Sequence, residues 1–226
     1  NFTNCQNIQY NDVGVATIDT SSHVRFENCS FDTGKNIYLK DSSDLAFESC
    51  TFDNYTTQIF DLANADNLVI NNTNVTNSAG TYMTGLDDSD QDDNITVSNC
   101  NWQDASNCIN LEYSDCVIIQ NNNFTNFSST ILLSYCSDVL IDNNLIDNQS
   151  TGIEIRSGTE NNFTITNNFI NGSESRGCKF HDMNDTKFEN NTVLDSYTNS
   201  IEWNDYTYIY MINNTIEKCH DLDMIE

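Results

Sequence analysis

Three features of the 226-residue sequence predict an all-β fold, a parallel β-solenoid of about ten coils with an asparagine ladder. The first is a motif that recurs ten times: alternating apolar residues, a polar residue, Asn, then Cys, Asn or Thr, then a spacer and usually another apolar residue. Its copies are Phe2–Cys5, Phe26–Cys29, Phe47–Cys50, Ile70–Thr73, Val97–Cys100, Ile119–Asn122, Ile141–Asn144, Ile165–Asn168, Phe188–Asn191 and Met211–Asn214. The second is their spacing, 24, 21, 23, 27, 22, 22, 24, 23 and 23 residues, which marks one supersecondary unit stacked on itself from end to end. The third is apolar–polar alternation inside each repeat, broken by Asn, Asp, Ser and Gly, as expected of short half-buried strands joined by tight turns. The i, i+3, i+4 spacing of helical repeats is not found.

The fifth coil illustrates the layout. Ile95 and Val97 alternate with Thr96 and Ser98; Asn99 and Cys100 form a corner; Asn101 and Trp102 follow; Ile109 and Leu111 flank Asn110. Applied to the other coils, the same frame puts Phe26, Phe47, Ile70, Val97, Ile119, Ile141, Ile165 and Met211 on one inward column. Phe31, Phe52, Val75, Trp102, Phe124, Ile146, Ile170, Val193 and Ile216 make a second. Ile37, Ile109, Ile131, Ile153, Cys178 and Ile201 belong to a third, beside Trp203. Both Trp residues therefore belong to the core. The corner column is Asn4, Asn28, Asn72, Asn99, Asn121, Asn143, Asn167, Asn190 and Asn213, with Ser49 as the exception. It is expected to take positive φ and to be buried, each amide bonding to the coil above. Cys5, Cys29, Cys50 and Cys100 share one repeat position and read as a stacked column of small apolar groups. Column neighbours are close enough to bridge, and Cys116 and Cys136, in adjacent coils near one corner, are the next candidates for a bridge.

Composition narrows the partners. The formal net charge is −26, with only eight Lys plus Arg, which disfavours nucleic acid and anionic membranes. No apolar run approaches the length of a membrane span. There is no Pro, and the abundant Asn suits many tight corners. The chain opens at Asn1 without a signal-like segment and is read as a mature or excised piece. Residues 1–226 form a single domain, either a segment of a longer chain or a stacking subunit, because neither end carries an evident cap.

The repeat, with its I-x-N-N-x-I core and asparagine column, resembles the right-handed parallel β-helices of the pectate-lyase-like superfamily, including those of carbohydrate-binding and sugar-hydrolase proteins. The resemblance covers the whole chain and implies a single-stranded right-handed β-helix of 21–27 residues per coil. The shared residues are structural. Neither the acidic clusters of pectin hydrolases nor the Arg-rich sites of pectate lyases are recognisable, and Cys beside the corner Asn in the first half departs from the family pattern.

Chemistry in such a rod sits on outward side chains and loops. In coils five to nine the outward positions after the corner are Asn110 and Glu112, Leu132 and Ser134, Glu154 and Arg156, Lys179 and His181, Glu202 and Asn204. Glu154, Arg156, Lys179, His181 and Glu202 are thus the catalytic candidates for a polysaccharide lyase or glycoside hydrolase. A Glu–Lys–Glu ladder is the plainer reading of the same residues. The longest spacing holds Asp87, Asp88, Asp90, Asp92 and Asp93, which could bind Ca²⁺ through oxygen or could be a solvated acidic loop; no cofactor is otherwise required. Ala46, Val69, Thr96, Ile118, Leu140 and Thr164 form an outward strip of low polarity. Together with Tyr208 and Tyr210 it is the candidate interface for other copies, flanking domains or glycans. Among many Asn-x-Ser/Thr sequons, Asn54, Asn126, Asn148, Asn171 and Asn184 fall in expected loops and are the glycosylation candidates, whereas Asn28, Asn190 and Asn213 are expected to be buried. The leading expectation is an extracellular or cell-surface structural module, an adhesin or filament component that is glycosylated and non-catalytic. The rivals are a polysaccharide lyase or hydrolase and a virus tail-spike or fibre segment.

Overall fold

Residues 2–3, 16–32, 36–55, 57–77, 81–85, 93–156, 162–217 and 221–225 are described by a computed structural model. They contain strands, turns and bends, and no helix. Every pairing among the described strands is parallel. Each strand pairs with its equivalent one coil away, so the chain winds as a β-solenoid with three faces. In the coil that starts at Asn121, Asn123–Ser134 supplies the second face and, after a corner, the third, and Val139–Asp142 supplies the first face, ahead of the next Asn corner. Between Asn28 and Asn213 eight coils carry all three faces, and partial coils extend them at both ends. The ten motif copies correspond to these complete and partial coils.

Register is kept along the rod. Phe2, Phe26, Phe47, Ile70, Val97, Ile119, Ile141, Ile165, Phe188 and Met211 are consecutive partners on the first face. Their second-face counterparts run from Phe31 through Trp102 and Phe124 to Val193 and are all buried. Like therefore stacks on like: the rings of Phe26 and Phe47 lie 5.1 Å apart and nearly parallel, as do those of Phe31 and Phe52 at 4.6 Å. Trp102 and Trp203 are fully buried, as the repeat frame requires.

The asparagine column is displaced by one residue from its expected place. Asn28, Asn72, Asn99, Asn121, Asn143, Asn167, Asn190 and Asn213 do have positive φ, 51–57°. However, they are exposed rather than buried. The buried ladder is built by the next residue, Asn122, Asn144, Asn168 and Asn191, with the half-buried Asn214 above them. Asn144 shows the pattern. Its backbone N–H and its Nδ2 both donate to Asn168 Oδ1, each at 3.0 Å, and Nδ2 also donates to the Ile119 carbonyl at 2.9 Å. Its own Oδ1 accepts from the N–H and Nδ2 of Asn122, each at 3.0 Å. Two amide protons and two acceptor directions are thus satisfied without water. Lower in the stack Thr73, Cys29, Cys50 and Cys100 occupy this position, and their thiols make only weak contacts to carbonyls, such as Cys50 Sγ to the Phe26 oxygen at 3.6 Å. Every described cysteine is a free thiol. The suggested Cys116–Cys136 bridge is absent for a register reason: Asp115 pairs with Ser137, which puts Cys116 opposite Asp138 and Cys136 opposite Ser114.

At the start of the third face two successive residues point inward, and the first of each pair forms a narrow column of Cys108, Thr130, Gly152, Gly177 and Ser200. A Cβ on Gly177 would overlap Val193 Cγ1 and lie 2.6 Å from the Ser200 carbonyl oxygen. Gly177→Ala is therefore expected to lower stability by about 1–3 kcal/mol, read from the urea midpoint. In the ladder, Asn168→Ala strands two buried donors on Asn144 and should cost about 2–4 kcal/mol in the same assay, whereas Asn167→Gly, at the exposed left-handed corner beside it, should change stability by less than about 1 kcal/mol.

Candidate functional site

The third face brings the predicted charged residues together. Asn110, Leu132, Glu154, Lys179 and Glu202 are consecutive partners in one outward column; Glu112, Ser134, Arg156, His181 and Asn204 form the next. Parallel pairing fixes this arrangement, since one coil of rise separates each residue from its partner, roughly 4.8 Å.

The two carboxylates are each held by two or more donors. Glu154 Oε1 accepts from Arg156 Nε at 2.9 Å and Nη2 at 2.7 Å, and from Lys179 Nζ at 3.3 Å. Glu202 is bonded by Arg176 Nε and by Asn204 Nδ2, the latter at 2.9 Å. The expected Glu154–Lys179–Glu202 column is present, but Glu202 takes its direct ion pair from Arg176, a residue that the repeat reading passed over. Arg176 lies two residues before the inward Cys178, where strict alternation would put it inward as well; Gly177 and Cys178 are both inward instead. The Asn204 amide also approaches the His181 ring, 3.3 Å from Nδ1. Burial alone would raise the Glu202 pKa, but the Asn204 and Arg176 hydrogen bonds and the Arg176 and Lys179 charges outweigh it and hold the carboxyl below its ordinary value. A glycosidase general acid needs the opposite shift.

The remaining candidates are more dispersed. Asp87, Asp88, Asp90 and Asp92 lie outside the described residues. Asp93 is half-buried; its Oδ1 accepts the Asp115 N–H at 3.2 Å, and burial together with the charges of Asp115 and Asp66 raises its pKa. Among the described residues no group of three His, Cys, Asp or Glu side chains is placed to hold a metal ion.

Ala46, Val69, Thr96, Ile118, Leu140 and Thr164 are consecutive first-face partners and half-buried. The strip is one side chain wide, because Glu48, Asn71, Ser98, Gln120, Asp142 and Thr166 form the neighbouring column. Arg25 ends it below and Lys187 above. Tyr208 and Tyr210 are 71% and 53% exposed.

Of the sequons, Asn54, Asn126 and Asn148 are exposed at left-handed corners between the second and third faces, with φ of 59°, 64° and 56°. Asn126 and Asn148 line a recess of about 320 Å³ with Asp104, Phe127, Gln149 and Glu174. Asn171 and Asn184 are half-buried, and Asn171 Nδ2 donates to Asp147 at 2.8 Å. The exclusion of Asn28, Asn190 and Asn213 is corrected by the same one-residue displacement as the ladder: their side chains face solvent.

One feature of the third-face margin was not foreseen. Tyr113 and Tyr135 follow the last outward residues Glu112 and Ser134, and their rings stack 4.9 Å apart at 8°. Both have positive φ, 55° and 54°. A bulky side chain in the left-handed region costs about 1–2 kcal/mol. The equivalent corner elsewhere uses Thr20, Asp41, Asn64, Asp182 and Asp205. The signal was present in the sequence as two Tyr residues 22 positions apart.

These features define a parallel β-solenoid with a charged and aromatic-edged third face. The chain belongs to the family described as the right handed beta helix region, which matches residues 1–102, 62–193 and 107–222. No curated protein matches the sequence. Among solved structures, PfbA, a surface adhesin of Streptococcus pneumoniae, is similar at 14% identity and a TM-score of 0.73, over 92% of this chain and 63% of the adhesin chain. A mutant of the periplasmic alginate epimerase AlgG is similar at 9% identity and a TM-score of 0.63, over 93% of this chain and 60% of the other. The A-module of the Azotobacter vinelandii mannuronan C-5 epimerase AlgE4 matches at 12% identity and a TM-score of 0.53, over 98% of this chain and 87% of the module. At these identities the likeness is one of fold. This chain spans about three-fifths of the adhesin and AlgG chains.

Because the folded Glu202 pKa is lowered, its contribution to stability is present above the unfolded value of 4.5 and is lost as pH falls through the folded value. Glu202→Gln should therefore be less stable than the parent chain at about pH 7, with the gap in melting temperature narrowing as pH falls below 4.5.

Proposed function

We propose that this chain is an adhesive, glycan-contacting β-helix module displayed outside the cell or in its envelope. The observation that carries this reading is the state of the third face: Glu154 and Glu202 are each held by cationic donors, and Glu202 is driven towards the ionised form rather than towards a general acid. Such a face offers fixed hydrogen-bonding groups on a rigid sheet, which suits recognition more than proton transfer. The fold likeness to a surface adhesin and to a periplasmic enzyme supports an exported location. Glycans on Asn54, Asn126 and Asn148, and association with other copies or flanking domains through the narrow first-face strip, accompany the proposal. Ca²⁺ at the acidic loop is a separate proposal resting on residues outside those described.

A second reading, a glycan-modifying enzyme, draws on one arrangement: the half-buried His181 is the register partner of Arg156 and lies two residues after Lys179 on the same strand, which puts an imidazole beside two cations. The two readings separate in one experiment. Beads coated with the chain are tested for adhesion to cells and immobilised glycans, while soluble chain is incubated with the same glycans and products are followed by mass spectrometry. Adhesion without turnover is the expected outcome. Product formation that Lys179→Ala or His181→Ala abolishes would replace the adhesive reading with the enzymatic one.

A further inference from the structure

We infer that the Tyr113–Tyr135 stack is the aromatic platform of a binding site for an uncharged oligosaccharide, with the adjoining third-face groups supplying its polar contacts. This rests on the adhesive, glycan-contacting reading and names the ligand class that it leaves open.

Three observations converge on that pair. Its backbone is in a conformation that the same corner elsewhere assigns to Asp, Asn or Thr, so two tyrosines are there against the local preference rather than because of it. The core gains little from Tyr135, which is 55% exposed. The rings are nevertheless ordered against each other, 4.9 Å apart at 8°, rather than standing as loose side chains. Exposed ring surface on Tyr135 can pack against the C–H face of a pyranose, and its phenol can serve the hydroxyls.

The surroundings supply the remaining contacts. Tyr135 follows Ser134, whose register partner is Arg156, and the Tyr135 N–H donates to the Arg156 carbonyl at 2.8 Å. The Arg156 side chain is 56% exposed, and only its Nε and Nη2 bond to Glu154. Glu112, the half-buried neighbour of Tyr113, adds a carboxylate. Carboxylate and guanidinium groups held on one sheet can take the paired hydroxyls of a sugar.

Charge selects the class. On this face Lys40, Arg156, Arg176 and Lys179 are outnumbered by Asp19, Asp61, Glu112, Glu154 and Glu202, in a chain of net charge −26. The surrounding field repels polyanions, and no surplus of cations is present to draw a uronate or sulfated chain in. An uncharged glycan meets neither obstacle.

The test uses the whole 226-residue chain. Binding is measured by calorimetry to hexasaccharides of glucose, mannose, galactose and xylose, and to an oligouronate of equal length. Tyr135→Asn keeps a residue type suited to the left-handed corner, as at Asn64, and serves with Tyr135→Phe as the variant pair. The expected result is binding to at least one neutral hexasaccharide, weaker by about tenfold in Tyr135→Asn and retained in Tyr135→Phe. The proposal is overturned if no neutral hexasaccharide binds, if the oligouronate binds more tightly, or if Tyr135→Asn binds as well as the parent chain. Bead adhesion separates the two levels. Parent and Tyr135→Asn beads adhering equally would overturn the tyrosine site and leave the adhesive reading in place; parent beads that adhere to nothing would overturn the adhesive reading itself.

Discussion

Register between neighbouring coils is the constraint on which everything else depends. A parallel solenoid has no local hydrogen-bonded element; each strand finds its partners in the coils above and below. Almost every backbone bond is therefore long-range, as with Asn144 N–H to its acceptor on Asn168. A slip of one residue would turn each inward column outward. The buried asparagine ladder opposes such a slip. Each of its amides must meet the next amide and one carbonyl of the coil below, and only a single register satisfies both.

The same constraint makes the outer surface periodic. Once coils are in register, a residue type repeated at the coil period becomes a column, and different residues at that period become a designed sequence of side chains along the rod. The third face uses this to alternate charge, so that Glu154, Lys179 and Glu202 follow one another, with Arg156 and Arg176 on either side. The groups hold each other in place, and binding a ligand there needs little further ordering. That is the physical link from a stacked repeat to a recognition surface.

Much of this was legible in the sequence. The outward pairs from Asn110 and Glu112 to Glu202 and Asn204 occur in the register the repeat frame assigned, and the inward Trp102, Trp203 and Cys178 are buried. The asparagine ladder was misplaced because simple alternation was carried through a corner. From inward Ile119, alternation puts Gln120 outward and Asn121 inward. A residue with φ near +57° turns the chain, however, so Asn121 stays outside and Asn122 enters. The same break moved Asn28, Asn190 and Asn213 to the surface. Arg176 was missed at another break in alternation, where Gly177 and Cys178 are both inward. Tyr113 and Tyr135 were missed for a different reason: they sit at a corner where Asp or Asn is the ordinary choice, and their meaning depends on backbone angles and ring stacking that spacing alone does not give.

Amide hydrogen exchange resolved by residue tests the central claim most directly. The backbone N–H groups of Asn122, Asn144 and Asn168 donate to a side-chain oxygen of the next coil rather than to a backbone carbonyl. If the ladder holds the register, these amides exchange only with opening of the stack, as slowly as strand amides such as Ile118 and Leu140 beside them. Exchange at the rate of unprotected surface amides, with the neighbouring strands still protected, would contradict the ladder and the account built on it.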